Sequence, residues 1–318
     1  MNFNKEATVW QLAILDLTEN RVWCGGLILK GNHEVKDSKT NAFKNAIHVV
    51  QSYFVKVYAH QKICIHSNNE IIETQTDAYG RFQIITTQEL DANLTITLPE
   101  TNLPLKIVQE YPISFKEPQR TLDIISDIDD TIMVSNTAHF YKRIKTLLLL
   151  VPEKRAVIEF TQNMFKAWKS VNPRIFYVSK SESNLFIRLT KFIKHNNLPQ
   201  GMLTLTPYLS FFQLIKGDKP VDFKLNAIRF LIENSRSKYY VLVGDDSQKD
   251  MAIYTEIVKA YPQLILKVYI RQTREKVNET QQLMWQKLKA TGVSASYFVP
   301  EHANSVLNEI EDLKKELV

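Results

Sequence analysis

The sequence contains very little cysteine. Only Cys24 and Cys64 occur among 318 residues, and they do not form a CxxC pair. This scarcity argues against a structural zinc site and against a disulfide framework. A hydrophobic content of 44% is enough to build sizeable cores without either of them. We therefore expect a globular protein adapted to a reducing, cytoplasmic setting.

Long apolar runs are also missing. The longest, Leu147–Val151, falls far short of the roughly 20 residues that a helix needs to cross a bilayer. The first residues show no basic segment followed by an apolar run, which is the pattern of a secretory signal. The sequence therefore predicts a protein that is soluble or, at most, peripherally attached to membranes.

The net charge is modestly positive, +6 at pH 7. Such a charge favours anionic partners, which include phosphorylated substrates, anionic lipid surfaces and nucleic acid. It is equally typical of a surface that is merely solubilising. No stripe of basic residues interleaved with exposed aromatic residues is evident, so we expect no nucleic-acid partner. The oligomeric state is left open by the sequence.

The first part of the chain has the pattern of an all-β domain, in which β-branched and aromatic residues form short runs separated by turn residues. These runs are Val9–Leu15, Val22–Leu29, His48–Ala59 and Leu94–Leu98. The segment TDAYGRF, residues 76–82, supplies a turn through Asp77 and Gly80, and it looks like the turn of transthyretin-like β-sandwich modules. Two prolines and mixed charges in 110–120 predict a linker. We therefore place a β-sandwich domain at 1–118.

From residue 119 onwards the pattern predicts an α/β domain. Short apolar runs that end in polar residues alternate with stretches of helical spacing. The predicted strands are Leu122–Ile125, Ile175–Val178, Met202–Leu205, Tyr239–Val243 and Leu264–Ile270. The predicted helical stripes are Phe140, Ile144, Leu147, Leu148 and Val151, then Val157, Phe160, Met164 and Trp168. We expect a Rossmann-like parallel sheet with helices on both faces at 119–275, followed by C-terminal helices at 276–318.

Two carboxylates stand together at the end of the first of these strands. Asp127 and Asp129 follow LDIIS, and residues i and i+2 of an extended chain point to the same side. Ligands of open α/β sheets bind beyond the carboxyl ends of the strands, where helix N-termini favour phosphate. A divalent cation stabilises crowded carboxylates, and Mg²⁺ suits carboxylates, water and phosphate oxygens. On this segment alone, the alternative is an acidic first helical turn capped by Asp130 or Thr131.

Three further segments carry polar groups that phosphoryl transfer requires. Ser179 follows the strand RIFYV and offers a hydroxyl to a phosphate oxygen. Lys224 lies in a helical stretch and can neutralise charge on a phosphoryl group in transfer. The strand YYVLVG leads into GDDSQKD, whose Asp245, Asp246 and Asp250 are candidate metal ligands or neighbours of a metal. Each signal is weak alone, because serine often caps a helix, lysine is often solvated and GDD is often a turn.

The order of these four motifs resembles that of the haloacid dehalogenase superfamily. Within it, the phrases SDIDDTI, FYVSKS and VLVGDDSQKD behind an all-β module look like the actin-patch-associated phosphatidate phosphatase family. The resemblance covers roughly residues 120–275. It implies a phosphatase catalytic domain with a small helical cap inserted at about 132–173.

The resemblance also implies a role for each catalytic residue. Asp127 would be the nucleophile that forms an aspartyl-phosphate, and Asp129 would protonate the leaving oxygen and then activate water. Thr131 would orient the catalytic aspartate, while Ser179 and Lys224 would bind the phosphoryl group. An acid at the position of Asp129 favours a phosphatase or a phosphomutase over dehalogenases and ion-pumping ATPases.

A Mg²⁺ site follows from the same resemblance. Asp127, the backbone carbonyl of Asp129 and Asp245 would hold the ion. Asp250 matches the second acidic residue of the last motif, and the sequence leaves open whether Asp246 or Asp250 completes the site.

The function that these features favour is a Mg²⁺-dependent phosphatase of a phosphomonoester. The resemblance implies a lipid phosphate such as phosphatidate, reached at an anionic membrane surface. An alternative keeps the chemistry but assigns a soluble phosphorylated metabolite or a phosphoprotein as substrate. Family members commonly have histidine where Phe223 stands and serine-glycine where Asp246-Ser247 stand, and the second difference bears on metal coordination or substrate access. A silent scaffold is disfavoured because all the functional positions are intact.

Overall fold

The computed structural model describes residues 7–31, 54–116, 121–133, 158–208, 222–235, 237–246, 249–274, 276–299 and 303–317. The described residues form two compact units, one built mainly from the chain before residue 118 and the other mainly from the chain after it. The segment Ser181–Thr190 groups with the first unit. A single division at residue 118 therefore does not separate the units completely, and the domain ranges remain a proposal. No described helix is long and apolar enough to cross a membrane.

The first unit consists of two β-sheets. Its strands are β1 (Ala7–Asp16), β2 (Val22–Lys30), β3 (Lys62–Ser67), β4 (Glu70–Gln75), β5 (Arg81–Thr86), β6 (Thr95–Thr97) and β7 (Lys106–Ile107). One sheet has the order β5-β2-β1-β7 and the other the order β4-β3-β6. Neighbouring strands are antiparallel, except that β7 runs parallel to β1. Side chains of both sheets, including Val9, Cys24, Ile63 and Ile96, share one buried core, which confirms the predicted β-sandwich.

The predicted turn at residues 76–82 is present. The Asp77 carboxylate accepts hydrogen bonds from the backbone amides of Tyr79 and Arg81 at 2.8 and 2.9 Å. Gly80 has a φ of 73°, a conformation that glycine adopts without strain. A side chain there would also approach the carbonyl oxygen of Ile28 to 2.8 Å. The turn chemistry read from the sequence is therefore confirmed.

The strand predictions for this unit are only partly right. β1, β2 and β6 lie where the sequence predicts them, but the described part of His48–Ala59 forms only an isolated bridge at Val57. Residues 48–53 lie outside the described chain. The hairpin of β3 and β4 was missed, although Asn68 and Asn69 both have positive φ, as a two-residue hairpin turn requires. A run of β-branched and aromatic residues indicates a half-buried surface rather than a strand backbone, and this explains why His48–Ala59 was predicted as a strand.

The second unit contains a six-stranded sheet. Its strands are β8 (Leu122–Ser126), β9 (Arg174–Glu182), β10 (Met202–Thr206), β11 (Tyr239–Asp245), β12 (Ile265–Arg271) and β13 (Ala295–Phe298), in the order β10-β9-β8-β11-β12-β13. The neighbouring pairs β9–β8, β8–β11, β11–β12 and β12–β13 are all parallel, which confirms the predicted sheet. The chain proceeds outward from β8 through β9 to β10 and then returns to the other side of β8 as β11. The carboxyl ends of β8 and β11 therefore form the topological switch point where such sheets bind ligands.

Six α-helices accompany the strands in the described residues. They are α1 (Glu159–Trp168), α2 (Phe186–His195), α3 (Phe223–Asn234), α4 (Asp250–Ala260), α5 (Glu279–Lys289) and α6 (Ala303–Leu317). The predicted stripe of Phe160, Met164 and Trp168 is buried on α1. The stripe from Phe140 to Val151, together with most of the predicted cap at 132–173, lies outside the described residues.

The segment 276–318 contains the predicted helices and also a strand that the sequence did not predict. α5 and α6 are present, but β13 lies between them and extends the sheet by pairing with β12. This strand has four residues and a mixed burial pattern, so it lacks the apolar run that marks the interior strands. The C-terminal segment is thus part of the same sheet as the predicted catalytic residues.

A buried ion pair joins β8 to β9 at the end of the sheet opposite the switch point. Arg174 donates to both oxygens of the Asp123 carboxylate at 3.2 and 2.9 Å, and the Ser235 hydroxyl donates to the same carboxylate at 2.9 Å. The side chains of Arg174 and Asp123 are 6% and 0% exposed. Each charge therefore depends on the other for its compensation.

We predict that Asp123→Ala destabilises the protein by about 3–5 kcal/mol, because it leaves the Arg174 guanidinium buried without its carboxylate. The measurement is the free energy of unfolding in urea. Glu256→Ala is the matched control, since Glu256 forms an exposed pair with Arg229 at 4.0 Å, which is worth at most about 1 kcal/mol. Equal losses in the two variants would contradict the prediction.

Candidate active site

Asp127 stands directly after β8, next to the end of β11. Its backbone amide donates to the carbonyl oxygen of Val243 at 2.9 Å, which continues the pairing of the two strands by one residue. Asp245 is the last residue of β11. Both side chains are buried, with exposures of 3% and 0%. The parallel register thus brings together two carboxylates that are far apart in sequence.

A tight turn follows Asp127 and positions the rest of the DIDDT motif. The amides of Ile132 and Met133 both donate to the carbonyl oxygen of Ile128, at 3.0 and 3.2 Å. Asp130 has a φ of 56°, which lets the chain reverse here. The Thr131 hydroxyl lies 3.3 Å from Asp127 Oδ2 and can donate to it. The alternative of a capped first helical turn is not seen, because this segment is a turn and bridge in the described residues.

Thr131 also contacts the second of the two strand-end carboxylates. Its hydroxyl lies 3.2 Å from Asp245 Oδ2, so it stands between Asp127 and Asp245. The Ser179 hydroxyl, near the end of β9, donates to Asp129 Oδ2 at 3.3 Å. The structure therefore brings the predicted hydroxyl groups into contact with the predicted carboxylates.

Lys224 supplies a positive charge to this cluster. It belongs to the buried stripe of α3, together with Ile228, Leu231 and Ile232, and its ammonium group is directed at the carboxylates. The Lys224 Nζ atom donates to Asp127 Oδ1 at 2.8 Å and to Asp250 Oδ1 at 2.6 Å. Burial alone would lower the pKa of Lys224, but Asp127 and Asp250 raise it well above its ordinary value. Lys224 is therefore a permanent cation.

The carboxylates are crowded beyond what one lysine can neutralise. The pKa of Asp127 is raised to about 7, and burial is the largest cause. Lys224 lowers this pKa, whereas the nearby Asp250 and Asp129 raise it further. One oxygen each of Asp127, Asp245 and Asp250 lie within 4.8 Å of one another. Among the described residues, Asp250 Oδ2 has no hydrogen-bond partner although it is buried. An oxygen-only, negatively charged cluster with an unused oxygen fits a divalent cation.

The side chain of Asp246 points to other partners. Its Oδ1 accepts from the backbone amide of Thr273 at 2.9 Å and from the Thr273 hydroxyl at 2.5 Å. Its Oδ2 accepts from the Tyr297 hydroxyl at 2.6 Å. Asp246 is not a member of the carboxylate cluster, whereas Asp250 is. The geometry therefore favours Asp250 for the position that the sequence left open.

Several residues that shape the site were missed by sequence reasoning. Arg271, at the end of β12, donates to the carbonyl oxygen of Asp130 at 2.7 Å. Gly244 leaves room for the carboxylate of Asp250 and the ring of Tyr254, which a side chain at this position would meet at 2.6 and 2.9 Å. The Gly244 signal was available, because glycine in a strand often marks a close approach. A lone arginine at a strand end carries no such signal.

We predict that Gly244→Ala destabilises the protein by about 1–3 kcal/mol and weakens the binding of divalent cations, because the added methyl group displaces Asp250. Thermal unfolding and titration calorimetry with Mg²⁺ measure the two effects. Gly292→Ala is the control: Gly292 has a φ of 80° and open space around it, so alanine there strains the backbone without touching the site. Loss of cation binding in both variants would contradict the proposed cause.

Comparison with known proteins finds a family model that matches the segment containing the site. Residues 122–272 match the sequence model described as "Phosphatidate phosphatase APP1, catalytic domain". An uncharacterized protein of Schizosaccharomyces pombe is 25% identical over 225 residues, which are 68% of this chain and 37% of that protein. Phosphatidate phosphatase APP1 of Saccharomyces cerevisiae is 26% identical over 243 residues, which are 75% of this chain and 38% of that protein. The chain thus spans less than two fifths of the length of these curated relatives.

A putative beta-phosphoglucomutase of Thermotoga maritima is among the solved structures that resemble the chain. Its TM-score is 0.36 at 13% identity, over 59% of this chain and 98% of that one. The family match spans β8 to β12 and so includes Asp127, Asp129, Thr131, Ser179, Lys224, Asp245 and Asp250. Residues 122–272 of the chain are therefore similar to the phosphatidate phosphatase APP1 catalytic domain.

Proposed function

We propose that the chain is a Mg²⁺-dependent phosphatase that hydrolyses a phosphomonoester through an aspartyl-phosphate. The observation that carries this proposal is the environment of Asp127: one oxygen is held by Lys224 and the other lies beside Thr131. A carboxylate held in this way, at the switch point of an α/β sheet, is oriented for attack on a phosphoryl group. The match of residues 122–272 to a phosphatase family supports the same chemistry.

The reaction proceeds in two displacements on phosphorus. In the first, a carboxylate oxygen of Asp127 forms a bond to phosphorus while the bond to the leaving oxygen breaks, and Asp129 gives that oxygen a proton. In the second, Asp129 takes a proton from a water molecule, whose oxygen attacks phosphorus and releases phosphate and the free Asp127 carboxylate. Lys224 offsets negative charge on the phosphoryl oxygens, and the Ser179 hydroxyl can donate to one of them.

Mg²⁺ is the proposed cofactor, and Asp127, Asp245 and Asp250, with the backbone carbonyl of Asp129, are the groups that would hold it. When bound, the ion supplies positive charge to the carboxylates and to the transferring phosphoryl group. The oxygen-only donor set is the kind that Mg²⁺ prefers.

A phosphorylated lipid is the proposed substrate, with phosphatidate as the specific candidate. The name of the yeast relative and the positive net charge support it. So do the exposed apolar residues Val277 and Leu283, 37% and 52% exposed, which follow the exposed Arg274 and Lys276 in the chain after β12. Exposed apolar side chains flanked by basic ones suit the interface of an anionic bilayer. The free thiols Cys24 and Cys64 fit a cytoplasmic enzyme that reaches membranes peripherally.

We predict that Asp127→Asn lowers phosphate release by at least about 10³-fold, because the amide cannot act as the nucleophile. The assay compares phosphatidate, lysophosphatidate, soluble esters and phosphopeptides, each with Mg²⁺ or with EDTA. Asp312→Asn, which alters an exposed carboxylate paired with Lys315, should keep full activity. Activity that persists in EDTA, or in Asp127→Asn, would rule out the mechanism.

A second prediction tests the substrate class. Combined Val277→Glu and Leu283→Glu substitutions should lower hydrolysis of phosphatidate in phosphatidylcholine vesicles by about tenfold, because less apolar area enters the interface. Hydrolysis of a soluble aryl phosphate should not change. Leu103→Glu is the control, since Leu103 is a 68% exposed residue of the first unit. Faster turnover of soluble esters than of vesicle-bound phosphatidate by the wild-type protein would favour the soluble-substrate alternative.

A further inference from the structure

Asp246 directly follows β11 and is densely hydrogen-bonded. It is 3% exposed, and its carboxylate accepts three hydrogen bonds, two from Thr273 and one from Tyr297. Its backbone carbonyl accepts from the Gln281 side-chain amide at 3.0 Å, and its own amide donates to the carbonyl oxygen of Arg271 at 3.1 Å. Every polar group of this residue is therefore engaged.

The partners of Asp246 come from the C-terminal part of the chain. Thr273 follows β12, Gln281 lies in the first turn of α5, and Tyr297 lies in β13. All three stand beyond residue 272, where the match to the catalytic-domain family ends. The side-chain partners of Asp246 are thus outside the segment that matches the family model, whereas Arg271, which accepts from its amide, lies inside it.

Each of these partners is itself held in position. The Tyr297 ring packs against the Trp285 ring with centroids 5.2 Å apart. Gln281 is fixed by a reciprocal pair of hydrogen bonds with Asn278 at the start of α5. Burial and the neighbouring Asp246 raise the pKa of Tyr297, so its hydroxyl remains protonated and can donate.

Asp246 lies between the two carboxylates that this loop contributes to the site. Asp245 precedes it directly, and Asp250 begins α4 four residues later. A displacement of Asp246 would therefore move the oxygens of the adjoining Asp245 relative to Asp127 and Lys224. Groups that orient metal-binding or catalytic carboxylates in this way commonly matter about 10–100-fold for metal affinity or activity.

We propose that Tyr297 is a positioning residue of the active site, which acts by anchoring Asp246 and thereby the adjoining Asp245. This inference rests on the proposed function for its kinetic consequence, but its structural consequence, a site prepared for a divalent cation, can be measured without catalysis. The C-terminal strand and helix are then part of the catalytic unit.

Tyr297→Phe tests the anchor, because it removes one hydroxyl and keeps the ring. We expect the Mg²⁺ dissociation constant, measured by titration calorimetry on the metal-free protein, to rise about tenfold. With a soluble aryl phosphate at saturating Mg²⁺, we expect kcat to fall by a similar factor while KM changes less than about twofold.

Tyr269→Phe is the matched control. Tyr269 is a fully buried tyrosine of the adjacent strand β12, and its hydroxyl has no hydrogen-bond partner among the described residues. Both variants should keep the melting temperature close to that of the wild type, so a loss of fold does not account for the difference. A Mg²⁺ affinity and a kcat of Tyr297→Phe within twofold of those of Tyr269→Phe would overturn the proposal. If the wild-type protein binds Mg²⁺ but hydrolyses no phosphate ester, the proposed function fails, and the affinities alone decide the role of Tyr297.

Discussion

The structure of the site depends on one buried ammonium group placed among several carboxylates. Lys224 bonds to Asp127 and Asp250 from the buried stripe of a helix, while Asp129 and Asp245 complete the surrounding negative charge. One lysine cannot offset four carboxylates in a desolvated environment, where unpaired charge is very unfavourable. Additional positive charge therefore favours the ionised carboxylates, and a divalent cation is chemically suited to supply it.

The geometry of the sheet decides which carboxylates meet. Parallel pairing of β8 with β11 places Asp127 beside Asp245, and α4 begins with Asp250 directed back at Lys224. Helices that begin at the carboxyl edge also direct their amide dipoles toward it, which favours anions. The chain topology thus determines which charged groups meet at the site, and the individual side chains determine the hydrogen bonds among them.

The sequence was sufficient for the groups that follow from regular periodicity. Asp127, Ser179 and Asp245 follow or end apolar strands, and Lys224 interrupts an apolar helical stripe, so each position has a local signal. The partners of Asp246 could not be predicted in this way. Thr273, Gln281 and Tyr297 converge from a loop, a helix and a four-residue strand. Such contacts depend on tertiary packing, and no local pattern marks them. The hairpin at Asn68 and Asn69 is a different case. Its two asparagines are a local turn signal, but this signal was not used.

The strand β13 belongs to the catalytic sheet but lies outside the segment that matches the family model. The match to the family model ends at residue 272, yet the backbone amides and carbonyls of β12 are paired on their outer side by residues 295–298. A fragment trimmed to the region of similarity would present an interior strand as an exposed edge, which is a template for association with other chains. The segment that matches the family model is therefore shorter than the sheet to which it contributes, because main-chain hydrogen bonds pair β12 with a strand beyond residue 272.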